Sequence, residues 1–169
     1  MNEVPGGSET GITEEQEGED TTEVKYDVDI EFVRERAAPF EKLFADFPMT
    51  IGQAVSKKER DEKGNEDKAL AYGDISFEMF GICLRKIQEK HAGLVRKGGT
   101  FYDLGCGIGK PVFAAASLHA FEKVGGIEIL EGLHNLSKEL LHGWNEHVKP
   151  MLSKPQQKTD FSFVNGDAC

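Results

Sequence analysis

No stretch of this chain restricts its fold as much as Phe101-Tyr-Asp-Leu-Gly-Cys-Gly-Ile-Gly-Lys110. A short apolar run, Thr100 to Leu104, enters three glycines at alternate positions, and the nearly unbroken apolar stretch Val112 to Phe121 follows them. That order predicts a buried strand turning sharply into a helix packed back on its sheet. Pro111 suits the first helical turn, where its missing N–H costs nothing. The glycines let the backbone approach a ligand where a side chain would collide.

The rest of the chain repeats the strand–helix theme. Gly125 to Ile129 is a second strand candidate, and a long amphipathic helix follows it. Leu130, Leu133, Leu136, Leu140, Leu141, Trp144 and Val148 form the apolar stripe of that helix, which Pro150 stops. Residues 153–160 are a polar connector, and Phe161 to Val164 reads as a third strand. Strand, helix, strand, helix, strand predicts an α/β parallel sheet with right-handed crossovers. Upstream, Ser76 is placed to cap a helix whose stripe is Phe77, Phe80, Leu84, Ile87, His91 and Leu94. Cys83 and His91 are expected to pack on or near that face. Between Ile30 and Phe47, helical spacing interrupted by Pro39 predicts two short helices, the second starting at Pro39. Residues 56–68 carry five bases cancelled by five acids and no core candidates, so they are expected to be a solvated loop rather than a nucleic-acid patch.

Charge divides the chain unevenly. Residues 1–31 hold eleven acids against the single base Lys25, whereas the rest balances at nineteen of each. A low-apolar acidic block cannot offset its ordering entropy, so residues 1–26 are expected to form a disordered acidic tail. A basic partner such as a histone is the kind of protein such an arm would contact. Residues 27–70 then form a helical lead-in with the charged loop, and 71–169 the α/β domain. No apolar run is long enough to span a bilayer, and the first residues lack the pattern of a secretion signal. Cys83, Cys106 and Cys169 have no disulfide or metal spacing. The expected setting is the nucleus or cytoplasm.

Three carboxylates map to the carboxyl ends of the strands, where open parallel sheets bind ligands. Glu128, 23 residues after Gly105, can accept both hydroxyls of a ribose. Asp167, just past the third strand, can accept from an adenine amino group. Asp103 can hold an ammonium directly or through water. A phosphate-binding loop would need glycine at Leu104 and a hydroxyl at Pro111. A dinucleotide fingerprint would need a small residue at Lys110. Both requirements fail, which leaves S-adenosyl-L-methionine ahead of NAD as the expected cofactor. Cys106 is expected to be a small residue near the ligand rather than a nucleophile, and His134, His142 and His147 to lie on a polar helix face with no metal set.

Tyr72-Gly-Asp-Ile-Ser-Phe77, the glycine segment, Gly126-Ile-Glu128 and Gly166-Asp-Ala168 together resemble the cofactor site of the non-SET histone-lysine methyltransferases. Those are the disruptor-of-telomeric-silencing enzymes, which methylate a lysine in the globular core of histone H3. The glycine pattern is common to seven-strand methyltransferases; the Tyr72 segment is the more telling match. The resemblance spans about residues 70–168 and implies a Rossmann-like class I methyltransferase fold that binds S-adenosyl-L-methionine. It implies that Tyr72, Gly73, Asp74 and Ile75 close over the cofactor. It further implies cofactor contacts from Phe101, Tyr102, Asp103, Leu104, Gly105, Cys106, Gly107, Ile108, Gly109 and Lys110, from Glu128, and from Asp167 with Ala168.

The chain departs from that pattern. The family usually has Glu and Thr where this chain has Asp74 and Ile75, and Gln in place of Lys110. Ile75 offers no hydroxyl, and Lys110 near a sulfonium is expected to point to solvent. Only the N-terminal half of the fold is expected, three parallel strands with flanking helices, with a central strand of the full sheet left exposed as an unstable edge and the target-lysine channel missing. The resemblance implies chromatin modification by a protein-lysine methyltransferase. Another acceptor, or a non-catalytic cofactor-binding fragment, stays open.

Overall fold

The computed structural model describes residues 28–64 and 70–168. The expected acidic tail lies outside the described residues. In chain order the elements are helices α1 (Glu31–Arg34), α2 (Ala37–Phe44), α3 (Met49–Glu62) and α4 (Phe77–Lys90), strand β1 (Thr100–Leu104), α5 (Lys110–Leu118), β2 (Lys123–Glu128), α6 (Glu131–Gly143) and β3 (Asp160–Asn165). A π-helical turn, Trp144–Val148, and two short 3-10 turns connect α6 to β3. The three strands are parallel in the order β1-β2-β3, so the α/β reading holds.

Strand register explains which side of the sheet is covered. Phe101 pairs with Val124 and Val124 with Phe161, so these three share one face. Phe113 of α5 packs on that face against Phe161 and Phe163, and Trp144 lies against both Phe113 and Phe161. The next row, Tyr102, Gly125 and Ser162, faces the other way. There Leu104, Tyr102 and Val164 are 64%, 46% and 46% exposed. The expectation of a buried β1 is therefore corrected. Its apolar residues alternate between a covered face and an open one, and β1 is an edge strand of the described sheet.

Helix α5 is buried from Val112 through Leu118, which is why its sequence is apolar all round. In α6 the expected stripe continues through the π-helical turn, burying Leu133, Leu140, Trp144 and Val148. Three local expectations change. The second short helix begins at Ala37 rather than Pro39, leaving Pro39 within the first turn, where a proline displaces no intrahelical bond. Helix α4 is capped by Ser76 as expected, its hydroxyl accepting the Met79 N–H. It ends at Lys90, however, and Cys83, Ile87 and His91 are exposed. Phe77 and Leu84 of the expected stripe are buried, and the covered face also takes in Gly81, where Val33 of α1 occupies the space a Cβ would take.

The largest correction is residues 56–62. They continue α3, not a solvated loop. Lys, Glu and Arg are good helix formers, and the alternating charges permit favourable i,i+4 pairs such as Glu59–Lys63. Ser56 is wholly buried, and its hydroxyl donates to the Leu70 carbonyl at 2.8 Å. Among the described residues no helix is long and apolar enough to cross a membrane.

Candidate functional site

The glycine loop leaves β1 at the carboxyl end of the sheet. Its Gly105, Gly107 and Gly109 have φ of 77°, 56° and 88°, a left-handed region that other residues enter at a cost. The N–H groups of Gly105 and Cys106 both donate to the Ile127 carbonyl, at 2.9 and 3.1 Å, tying the loop to β2. Gly109 is the N-cap of α5, and its carbonyl accepts the Phe113 N–H.

Glu128 ends β2 and is buried beneath this loop. One carboxylate oxygen accepts the Gly107 N–H at 2.8 Å, and the other accepts the Leu130 N–H at 2.8 Å. A carboxylate oxygen has two lone pairs, so each retains an acceptor site. The sequence alone gave no sign of this bracing function. Gly166 and Asn165, at the end of β3, both donate to the Glu128 carbonyl.

The sequence-predicted residues Tyr72, Gly73, Asp74, Ile75, Asp103, Gly105, Cys106 and Lys110 line one cleft of about 340 Å³, together with Pro111. Gly107, Ile108 and Gly109 are buried and are not part of its lining. The Tyr72 ring lies between helix α3 and the loop: a Cβ on Gly52 would approach it to 2.4 Å and one on Gly107 to 2.5 Å. The Tyr72 hydroxyl donates to Asp74 at 3.3 Å.

Other predicted residues turn away from the cleft. Phe101 packs edge-on against Phe80 and also contacts Phe121. Tyr102 covers Gly125 on the open sheet face, where Leu104 also projects. Asp167 and Ala168 are exposed just past β3, outside the cleft lining. Lys110 corrects the expectation most directly. Instead of pointing to solvent, its ammonium lies 2.5 Å from the Asp74 carboxylate, with both side chains largely buried.

Electrostatically the site is acidic. Asp74, paired with the Lys110 ammonium, and Asp103 line the cleft, and the buried Glu128 carboxylate acts on Asp103 from close by. Burial and the neighbouring Glu128 charge push the Asp103 carboxyl from 3.8 up to about 6. Such a carboxylate gains from an incoming cation, which offsets both causes. Burial, with the charges of Asp103 and Glu128, pushes the Cys106 thiol up to about 12, so it stays protonated and is no nucleophile at neutral pH.

Sequence reading missed the supports behind this cleft. Glu59 of α3 is one. Its carboxylate accepts the N–H groups of Glu131 and Gly132, at 3.0 and 2.8 Å, capping α6 from another helix. Helix α6 has no side-chain cap of its own. Burial raises the Glu59 carboxyl, but Lys63 and the two N–H donors outweigh it and hold the group below its ordinary value. The only clue in sequence was the absence of Ser, Thr, Asp or Asn before Glu131.

Residues 41–168 match the model of the histone methylation protein DOT1 family. The chain belongs to that family. A search of curated proteins finds no match to it. Among solved structures, it is similar to a protein from Methanococcus maripaludis assigned as an S-adenosyl-L-methionine-dependent methyltransferase, at 14% identity and a TM-score of 0.33, over 57% of this chain and 45% of that one. It is also similar to geranyl diphosphate C-methyltransferase from Streptomyces coelicolor A3(2), solved with S-adenosyl-L-homocysteine and Mg2+, at 16% identity and a TM-score of 0.31, over 77% of this chain and 50% of that one. The chain of this DOT1-family protein thus spans about half the length of the solved structures it matches.

Proposed function

We propose that this DOT1-family chain supplies the S-adenosyl-L-methionine-binding part of a histone-lysine methyltransferase. The observation that carries this reading is the cleft at the end of β1, lined by the Asp74 and Asp103 carboxylates and the Lys110 ammonium around a glycine loop, with the buried Glu128 carboxylate close to Asp103. A zwitterionic sulfonium bears one net positive charge and suits that balance, whereas a pyrophosphate would meet Asp103 and Glu128 with like charge. The raised Asp103 carboxyl matches the need for an ammonium partner.

In this reading Asp103 holds the methionyl ammonium, and the backbone of Gly105 to Gly109 passes close under the ligand. The free lone pairs of Glu128 accept the ribose hydroxyls. Asp167 and Ala168 serve the adenine, and Tyr72 to Ile75 cover the ligand. When bound, the cofactor supplies an electrophilic methyl group. The chain's own residues orient it and exclude water; the large apolar Ile75 and the Tyr72 ring contribute to that exclusion. The acceptor lysine must be neutral, and no residue lining the described cleft is a histidine that would take its proton. A desolvated approach, which lowers an amine's pKa, would serve instead. A basic histone is the acceptor the family supports.

Calorimetry on the chain tests the cofactor: S-adenosyl-L-homocysteine should bind and NAD should not, and the reverse would overturn the reading. For the acceptor, the protein is incubated with tritiated S-adenosyl-L-methionine and nucleosomes, free histones or a metabolite mixture. Label on a histone lysine is expected; label on metabolites alone would overturn the histone assignment.

A further inference from the structure

Lys110 at the start of α5 and Asp74 in the segment before α4 meet in an ion pair. We propose that this ion pair is a latch that holds residues 72–75 down on the glycine loop before a ligand arrives, so that it must part for a ligand to enter or leave. The nature of the ligand rests on the function proposed above; the latch itself does not.

Residues 71–76 belong to no helix or strand, so side chains must hold them in place. Three attachments do so. Leu70 is fixed through its carbonyl to Ser56, and the Tyr72 ring is seated between Gly52 and Gly107. Asp74 is then held by Lys110 at 2.5 Å, and the Tyr72 hydroxyl donates to the same carboxylate oxygen. The first two attachments are short-range packing or a single hydrogen bond to the start of the segment. The third is a charge pair that spans the cleft from the segment to the start of α5.

The pair is built to persist. The side chains of Lys110 and Asp74 are 16% and 14% exposed, so water and salt screen them poorly. The Lys110 ammonium also sits 5.5 Å above the Phe44 ring centre, a second attraction that fixes its direction. Lys110 is the cation lining this cleft, so parting it from Asp74 leaves an uncompensated carboxylate against Tyr72 in a cleft that Asp103 also lines. A ligand bearing its own ammonium and carboxylate compensates both partners as they separate. Closure thus follows from the chain's own charges, and opening is coupled to exchange of a zwitterion.

Tyr72 reports the latch without any ligand. Tetranitromethane modifies exposed tyrosines, and mass spectrometry separates Tyr72 from Tyr102, which lies on the open sheet face and serves as the folding control. In the ligand-free chain, Lys110→Met and Lys110→Gln should each raise Tyr72 nitration about three- to tenfold while Tyr102 is unchanged. Removing the lysine charge would by itself disfavour the reactive phenolate, so a faster Tyr72 reaction reports opening. The same variants should speed dissociation of S-adenosyl-L-homocysteine by a comparable factor. Native-like Tyr72 nitration in both variants would overturn the latch. Failure of the native chain to bind S-adenosyl-L-homocysteine, with Tyr72 nitration raised as expected, would overturn the proposed function and leave the latch standing.

Discussion

The Glu128 carboxylate accepts the backbone N–H of Gly107 at 2.8 Å, so the last side chain of β2 holds the turn that follows β1. The other oxygen of the same group accepts the Leu130 N–H at the entry to α6. One buried side chain therefore fixes both the glycine loop and the departure of the next helix. Glu128→Ala should lower unfolding free energy by about 2–4 kcal/mol, because two buried N–H groups lose their acceptor. It should also weaken S-adenosyl-L-homocysteine binding by about 1.5–3 kcal/mol through lost charge-assisted bonds. Urea unfolding measures the first and calorimetry the second; unchanged affinity in a folded variant would remove the ribose assignment.

Glu59 connects α3 to α6 across 72 residues of sequence. Glu59→Ala removes the acceptor for the Glu131 and Gly132 N–H groups, and a loss of about 1–2 kcal/mol is expected, as for an N-cap deletion. The loss should appear as increased amide exchange in the first turn of α6. Glu59→Gln, which keeps an acceptor oxygen, should lose less.

Gly107 carries two constraints at once. Its φ of +56° disfavours any side chain, and a Cβ would come within 2.5 Å of the Tyr72 ring. Gly107→Ala should therefore cost at least about 1–2 kcal/mol in backbone conformation alone and displace Tyr72 as well. The check is a thermal melt paired with Tyr72 nitration. A native-like melting temperature would mean that the loop holds a different conformation.

Asp103 sets an acid dependence. Its carboxyl is raised from 3.8 to about 6, so between those pH values the native state holds a proton that the unfolded chain has released. Its contribution to stability is complete below the unfolded value and is lost as pH rises through about 6. Ligand binding has the opposite sign: an ammonium needs the ionised form, so affinity for S-adenosyl-L-homocysteine should fall as pH drops from 7.5 to 5. Asp103→Asn should flatten both profiles, which unfolding and calorimetric series across that range would measure. A native affinity independent of pH would contradict the ammonium role of Asp103.

Much of the architecture was legible because it rests on local signals. Alternating apolar runs and glycines located β1, α5, β2, α6 and β3, and the spacing of Asp103 and Glu128 from the glycine loop placed both at strand ends. The charged stretch 56–62 was misread because composition reports solvation, whereas α3 is settled by Ser56 and Glu59 reaching partners on other elements. Cys83, Ile87 and His91 were misplaced for a related reason. Periodicity finds an apolar stripe, but Gly81, accommodating Val33, decides which face of α4 is covered.

Sequence by itself determined the glycine loop, the acids around it and the family to which they point, because those depend on residue type and short spacing. Only the tertiary structure decided that Lys110 turns inward to Asp74, that Glu128 braces Gly107, and that Tyr72 sits between Gly52 and Gly107. Each of these relationships joins residues 20 or more positions apart. Their distances follow from how α3, α5 and the sheet pack, and no local pattern encodes them.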